Sequence, residues 1–105
     1  MIVRTAMFVG NVDPHRQEAF DRTVQVEALP LLQALPGVIE ANVLRTLDQE
    51  EGLPAIYQIY QLRFQDRAAM EAMFESAERL AVHDVMSRIL PWFEGTIVHL
   101  VSEVS

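Results

Sequence analysis

Few side chains in this chain are able to do chemistry, and they are scattered. His99 stands in an apolar run between Val98 and Leu100, with Ile97 and Val101 on its own strand face. A neutral imidazole lining a cavity there can serve as acid or base near neutral pH. The plainer alternative is a hydrogen-bonded core or interface histidine, because buried polar groups are ordinarily satisfied. Tyr57, Gln61 and Arg63 share one parity of the run AIYQIYQLRF at residues 55–64. An arginine inside an apolar sheet calls for an anion or a carboxylate. Glu40 or Glu94 could be that partner within the protein, pairing across a dimer interface is another route, and a substrate carboxylate could serve equally. The expected roles are therefore His99 as catalytic proton carrier and Tyr57, Gln61 and Arg63 as substrate-binding residues.

Other chemistries lack support. His15 and His83 read as surface residues, no histidine lies three or four positions from another, and cysteine is absent, so neither a metal nor a resident cofactor is expected. There is no phosphate-binding glycine loop, no Gly-x-Ser-x-Gly elbow and no dinucleotide fingerprint. Glu71, Glu75, Glu78, Asp84 and Glu94 read as a solvated face. Met7, Met70, Met73, Met86 and the Trp92-Phe93 pair suit either a ligand pocket or simple core. Fifteen acidic against eight basic residues give a net charge of -7, and the cations are all arginines spread along the chain. A phosphate backbone would be repelled, so no nucleic-acid partner is expected. No run approaches the roughly 18 apolar residues that cross a bilayer. The first residues alternate like a strand and carry Arg4, unlike a signal peptide, so no membrane partner and a cytoplasmic location are expected.

The elements that must position these groups follow from periodicity. The length of 105 residues and the 50% hydrophobic content suit one domain spanning 1–105 with a single core. Strand patterns occupy residues 2–9, 38–47, 55–64 and 96–104, and helical stretches follow the first and third of them. That is a split β-α-β unit written twice, which predicts an α+β ferredoxin-like fold: a four-stranded antiparallel sheet with helices on one face. Asp13-Pro14 suits a helix start, Pro30 should kink or break the helix, and Pro36-Gly37 should stop it. Asp66 should cap the second helix, whose Met70, Met73, Phe74 and Ala77 recur at helical spacing, and a further stretch should halt at Pro91. Phe64, leading straight into a helix, is assigned to the helix side. This sends Tyr57, Ile59, Gln61 and Arg63 to the opposite side, which a one-residue bulge would reverse. The strands are too apolar on both faces for one to stay wet, so a homodimer joined through sheet faces is expected.

The order of elements, with FDRTVQVEALPLLQALPGV over the first helix and YQLRFQDRAAMEAMF across strand three and the second helix, resembles the EthD-like branch of the dimeric α/β-barrel superfamily. The resemblance spans nearly the whole chain and rests mostly on residues that shape the fold. It implies ferredoxin-like monomers whose sheets close face to face, a fold shared by antibiotic-biosynthesis monooxygenases, muconolactone isomerases and haem-handling proteins. EthD-like helices typically carry a His two residues before the helix Pro, where this chain has Ala28 with Glu27 beside it. Haem-degrading relatives use Asn, Trp and His together; Asn11, Trp92 and His83 exist here but do not fall on identifiable matching elements. The resemblance implies binding or transformation of a small hydrophobic or aromatic metabolite in an apolar cavity, by cofactor-independent oxygenation or isomerisation if catalytic. The alternatives are a non-catalytic, dimeric, stress-associated or accessory protein with no ligand cavity, and a haem-handling protein using His83 or His99.

Overall fold

Four strands emerge in the computed structural model, which describes residues 1–105: β1 (Ile2–Val12), β2 (Val38–Arg45), β3 (Ile56–Phe64) and β4 (Phe93–Glu103). They form one antiparallel sheet in the order β2-β3-β1-β4. The connections from β1 to β2 and from β3 to β4 carry all the helices, and these cover a single face. This is the α+β, ferredoxin-like arrangement that the doubled unit predicts. β1 runs three residues past its predicted end at Val9, because Gly10 pairs directly with Gly95 of β4. Both glycines have positive φ, and a Cβ on Gly10 would overlap the Glu94 carbonyl oxygen. Only glycine lets the two backbones pass there.

The first crossover helix starts later than Asp13-Pro14 suggests. The Asp13 carboxylate accepts from the His15 amide at 2.9 Å and its carbonyl accepts from the Arg16 amide at 2.8 Å, making a turn that delivers the chain to α1 (Gln17–Thr23). The break expected near Pro30 takes the form of a π-helical turn over Val24–Ala28, in which the Leu29 amide reaches back five residues to the Val24 carbonyl. α2 (Leu29–Gln33) then carries Pro30 in its first turn. Proline has no amide to give and its ring crowds the carbonyl four residues earlier, so the helix widens ahead of it. In the second crossover Asp66 caps α3 (Arg67–Phe74) by accepting from the Ala69 amide at 2.9 Å. α4 (Glu78–Ile89) ends in a short 3-10 turn, Leu90–Trp92, that contains Pro91.

The core lies between the helices and the inner sheet face. Phe20 and Phe64 are 0% exposed and Val12, Val24 and Ile89 are 1% exposed. The Phe8 ring meets Tyr60 at 4.8 Å, Phe93 at 5.3 Å and Phe20 at 6.5 Å between centroids. Each fully buried phenylalanine contributes about 2–3 kcal/mol of transfer free energy. Phe64 thus faces the helices, as its position before α3 predicts. The alternate residues form rows across the outer face, Leu44-Ile59-Met7-Val98 and Asn42-Gln61-Thr5-Leu100 among them, and no element of the chain packs over them. The exposed Leu44, Val98 and Leu100 belong to these rows.

Candidate functional site

A cleft of about 180 Å³ opens between the inner sheet face and helices α2, α3 and α4. Strand register builds its floor. His99 of β4, Ala6 of β1 and Tyr60 of β3 lie in one row, with Arg4 and Leu62 in the next. His99 and Tyr60 are two strand spacings apart, about 10 Å, and the small Ala6 between them leaves the floor low. Leu32, Leu35, Met73, Phe74 and Val82 close the helical side. Eight of the eleven lining residues are hydrophobic; the other three are Arg4, Arg79 and His99, all basic.

The guanidinium carbons of Arg4 and Arg79 lie 4.7 and 5.1 Å from the centroid of the same Phe74 ring. Two cations share one aromatic ring, whose π electrons attract each of them. Burial, then the Arg79 charge, lowers the Arg4 pKa, although a guanidinium stays charged at any ordinary pH. Neither arginine meets a carboxylate, for the ion pairs of the chain are Arg45–Asp21 and Arg88–Glu27. Arg79 donates to the Phe74 carbonyl at 3.2 Å. Desolvation, then the Arg4 charge, lowers the His99 pKa from 6.5, so the imidazole at this rim is neutral at pH 7. Tyr60 is 8% exposed, and its buried hydroxyl has no hydrogen-bond partner. Burial, then the Asp21 and Tyr57 charges, raises its pKa and keeps it a protonated donor.

The four residues predicted to share one cavity occupy three places. His99 stands in the cleft just described. Tyr57 does not share a face with Ile59, Gln61 and Arg63, because the register between β1 and β3 slips after Phe8, pairing Phe8 with Gln58 and Val9 with Ile56. Tyr57 is the extra residue of a bulge, and it joins Gln58 on the inner face. Its hydroxyl donates to Asp21 Oδ1 at 2.6 Å, Gln58 Nε2 donates to the same oxygen at 3.1 Å, and Arg45 Nε reaches Oδ2 at 3.3 Å. The Arg45 guanidinium also lies 3.7 Å from the Tyr57 ring centroid. Burial first, then the bond to Asp21, pushes the Tyr57 pKa up to about 12. This cluster ties α1 to the open end of the sheet.

Gln61 and Arg63 lie on the outer face with Val3, Glu40 and Asn42, around a dimple of about 20 Å³. Glu40 is directly opposite Arg63 in the β2–β3 register and accepts from Asn42 Nδ2 at 2.6 Å. His15 and His83 are exposed, on the turn before α1 and on α4 respectively. Ala28, where the EthD-like pattern has histidine, is 0% exposed in the π turn, so a methyl fills that position completely. Arg4, Tyr60 and Arg79 escaped the sequence reading. Arg4 carried a usable signal, since it shares parity with Ile2, Ala6 and Phe8 and so had to meet the core face of its strand.

No family model and no curated protein matches the chain. Solved structures do. An EthD family protein from Bacillus halodurans C-125 superposes with a TM-score of 0.78 at 18% identity, covering 100% of this chain and 99% of that one. A dabb family protein with a ferredoxin-like fold from Mesorhizobium loti gives 0.70 at 18% identity, over 99% and 97% of the two chains. SnoaB, a cofactor-independent oxygenase from Streptomyces nogalater, gives 0.66 at 13% identity, over 98% and 91%. The chain therefore has the ferredoxin-like fold of these proteins over its whole length. Likeness at this level of identity carries architecture and leaves chemistry to the site.

Proposed function

We propose that this protein binds and transforms a small hydrophobic or aromatic metabolite in the cleft walled by Ala6, Leu62, Met73 and Phe74, with His99 as the proton carrier. The observation that carries the reading is an apolar cleft with a neutral imidazole at its rim. Cavities of about 150 Å³ accept benzene, whereas drug-sized ligands need roughly 300 Å³ or more, so about 180 Å³ suits a molecule built on a single ring. Cofactor-independent oxygenation or isomerisation fits a site whose one group titrating near neutrality is an uncharged base able to take a proton next to a carbonyl. The outer sheet face pairs with that of a second copy, which buries the row Leu44-Ile59-Met7-Val98. In this reading Gln61 and Arg63 serve the dimer contact and Tyr57 serves the Asp21 cluster.

Phenol titrated into the ¹⁵N-labelled protein tests the site. The amide resonances of Ala6, Leu62 and His99 should shift together, and Ala6→Leu, which raises the floor, should abolish the response. Shifts confined to the outer face or to the Asp21 cluster would overturn the assignment.

A further inference from the structure

We infer that the ligand of this cleft is an anion, a single-ring molecule bearing a carboxylate or an ionised enol, whose negative oxygens bind between Arg4 and Arg79. The inference rests on the reading of the cleft as the ligand site and adds the charge of what enters it. Every charged side chain lining the cleft is cationic, and no carboxylate is among them. This is not a shortage of acids, since the chain has fifteen and a net charge of -7. Six of the eight arginines form no ion pair, and among these Arg4 and Arg79 are the two brought together on one ring, in the wall of the cleft. A half-buried Arg4 beside a second guanidinium is a repulsive arrangement that an anion relieves.

Tyr60 lends its ring to the wall of the same cleft, beside Ala6 and Leu62. The apolar wall then takes the ring. The overall negative charge would repel an anion at long range, so a preference for one must come from these local groups.

Three planar probes of matched shape separate the possibilities: benzoate, benzamide and benzamidinium, titrated into the ¹⁵N-labelled protein at low ionic strength. Benzoate should shift the cleft amides with a dissociation constant at least tenfold below that of benzamide, and benzamidinium should bind weakest. Arg79→Gln, at an exposed side chain, should raise the benzoate constant several-fold and leave benzamide unchanged, with an unchanged Tm showing that the fold is kept; Arg4→Gln should do the same. Bound benzoate should also raise the His99 pKa, because a negative neighbour favours imidazolium. Equal or tighter binding of benzamide or benzamidinium would overturn the anion assignment while leaving the cleft as the site. Failure of all three probes and of phenol to shift any cleft amide would remove the site itself.

Discussion

Replacing Asp21 with alanine should destabilise the protein out of proportion to the exposure of that carboxylate. Asp21 holds three partners, and two of them, Tyr57 at 4% exposed and Gln58 at 2%, are buried in the intact protein and lose their acceptor with it. Each buried donor left without an acceptor costs about 1–3 kcal/mol. The Arg45 contact adds little, since both side chains are 38% exposed and such pairs are worth roughly 0.2–1 kcal/mol. Gln58 cannot compensate by flipping, because its Oε1 is already buried without a partner. The expected loss for Asp21→Ala is about 3 kcal/mol, or roughly 12–20 °C in Tm for a chain of this size. Urea unfolding at one fixed protein concentration measures it, with Tyr57→Phe and the double variant completing a cycle. Tyr57→Phe alone should cost about 1–2 kcal/mol and almost nothing once Asp21 is gone. A loss below about 1 kcal/mol for Asp21→Ala, or equal Tyr57→Phe costs in both backgrounds, would refute the argument that this cluster fastens α1 to the sheet.

Met7→Arg places a charge in the central apolar row of the outer face and should convert the proposed dimer to monomer in sedimentation equilibrium at micromolar loading; a wild-type protein that is itself monomeric there removes the paired-sheet proposal. Gly10→Ala must overlap the Glu94 carbonyl and hold a side chain at positive φ, so thermal unfolding should report a loss of about 3 kcal/mol, or no folded protein, against an unchanged Tm if the Gly10–Gly95 crossing is wrong. The Tyr57 pKa is raised in the folded state from its ordinary 10.0 to about 12, so its contribution is complete below pH 10 and is lost as pH climbs through about 12. Tyr57→Phe should flatten that alkaline decline, and an identical profile would contradict the assignment.

The fold was legible because its punctuation is local. Asp66 before an apolar helical stripe, Pro91 after one, and apolar alternation in four runs each act within a few residues; the structure has all four strands, with β1 running on to Val12, β2 ending at Arg45 and β4 starting at Phe93, ahead of the residue 96 at which its alternation begins. Pro30 announced a disturbance without saying that the helix would widen ahead of it. The site was less legible for two physical reasons. A bulge adds one residue without changing the composition of a strand, so AIYQIYQLRF reads as a regular alternation although Tyr57 and Gln58 both turn inward. The three-residue spacing of Tyr57 and Tyr60 is its only trace. The second reason is that the cationic pair joins Arg4 of β1 to Arg79 of α4, and nothing in a linear pattern brings those positions to one phenylalanine. Arg63, in an equally apolar strand, gives the same linear signal as Arg4, yet its parity puts it on the outer face.

The central claim is that ligand chemistry belongs to the cleft between the inner sheet face and the helices, and a crystal structure of the protein saturated with benzoate tests it most directly. The account predicts the ring above Ala6 against Phe74 and Met73, with the carboxylate between Arg4 and Arg79. An empty cleft, or benzoate seated instead by Asp21 or on the outer sheet face, would contradict it.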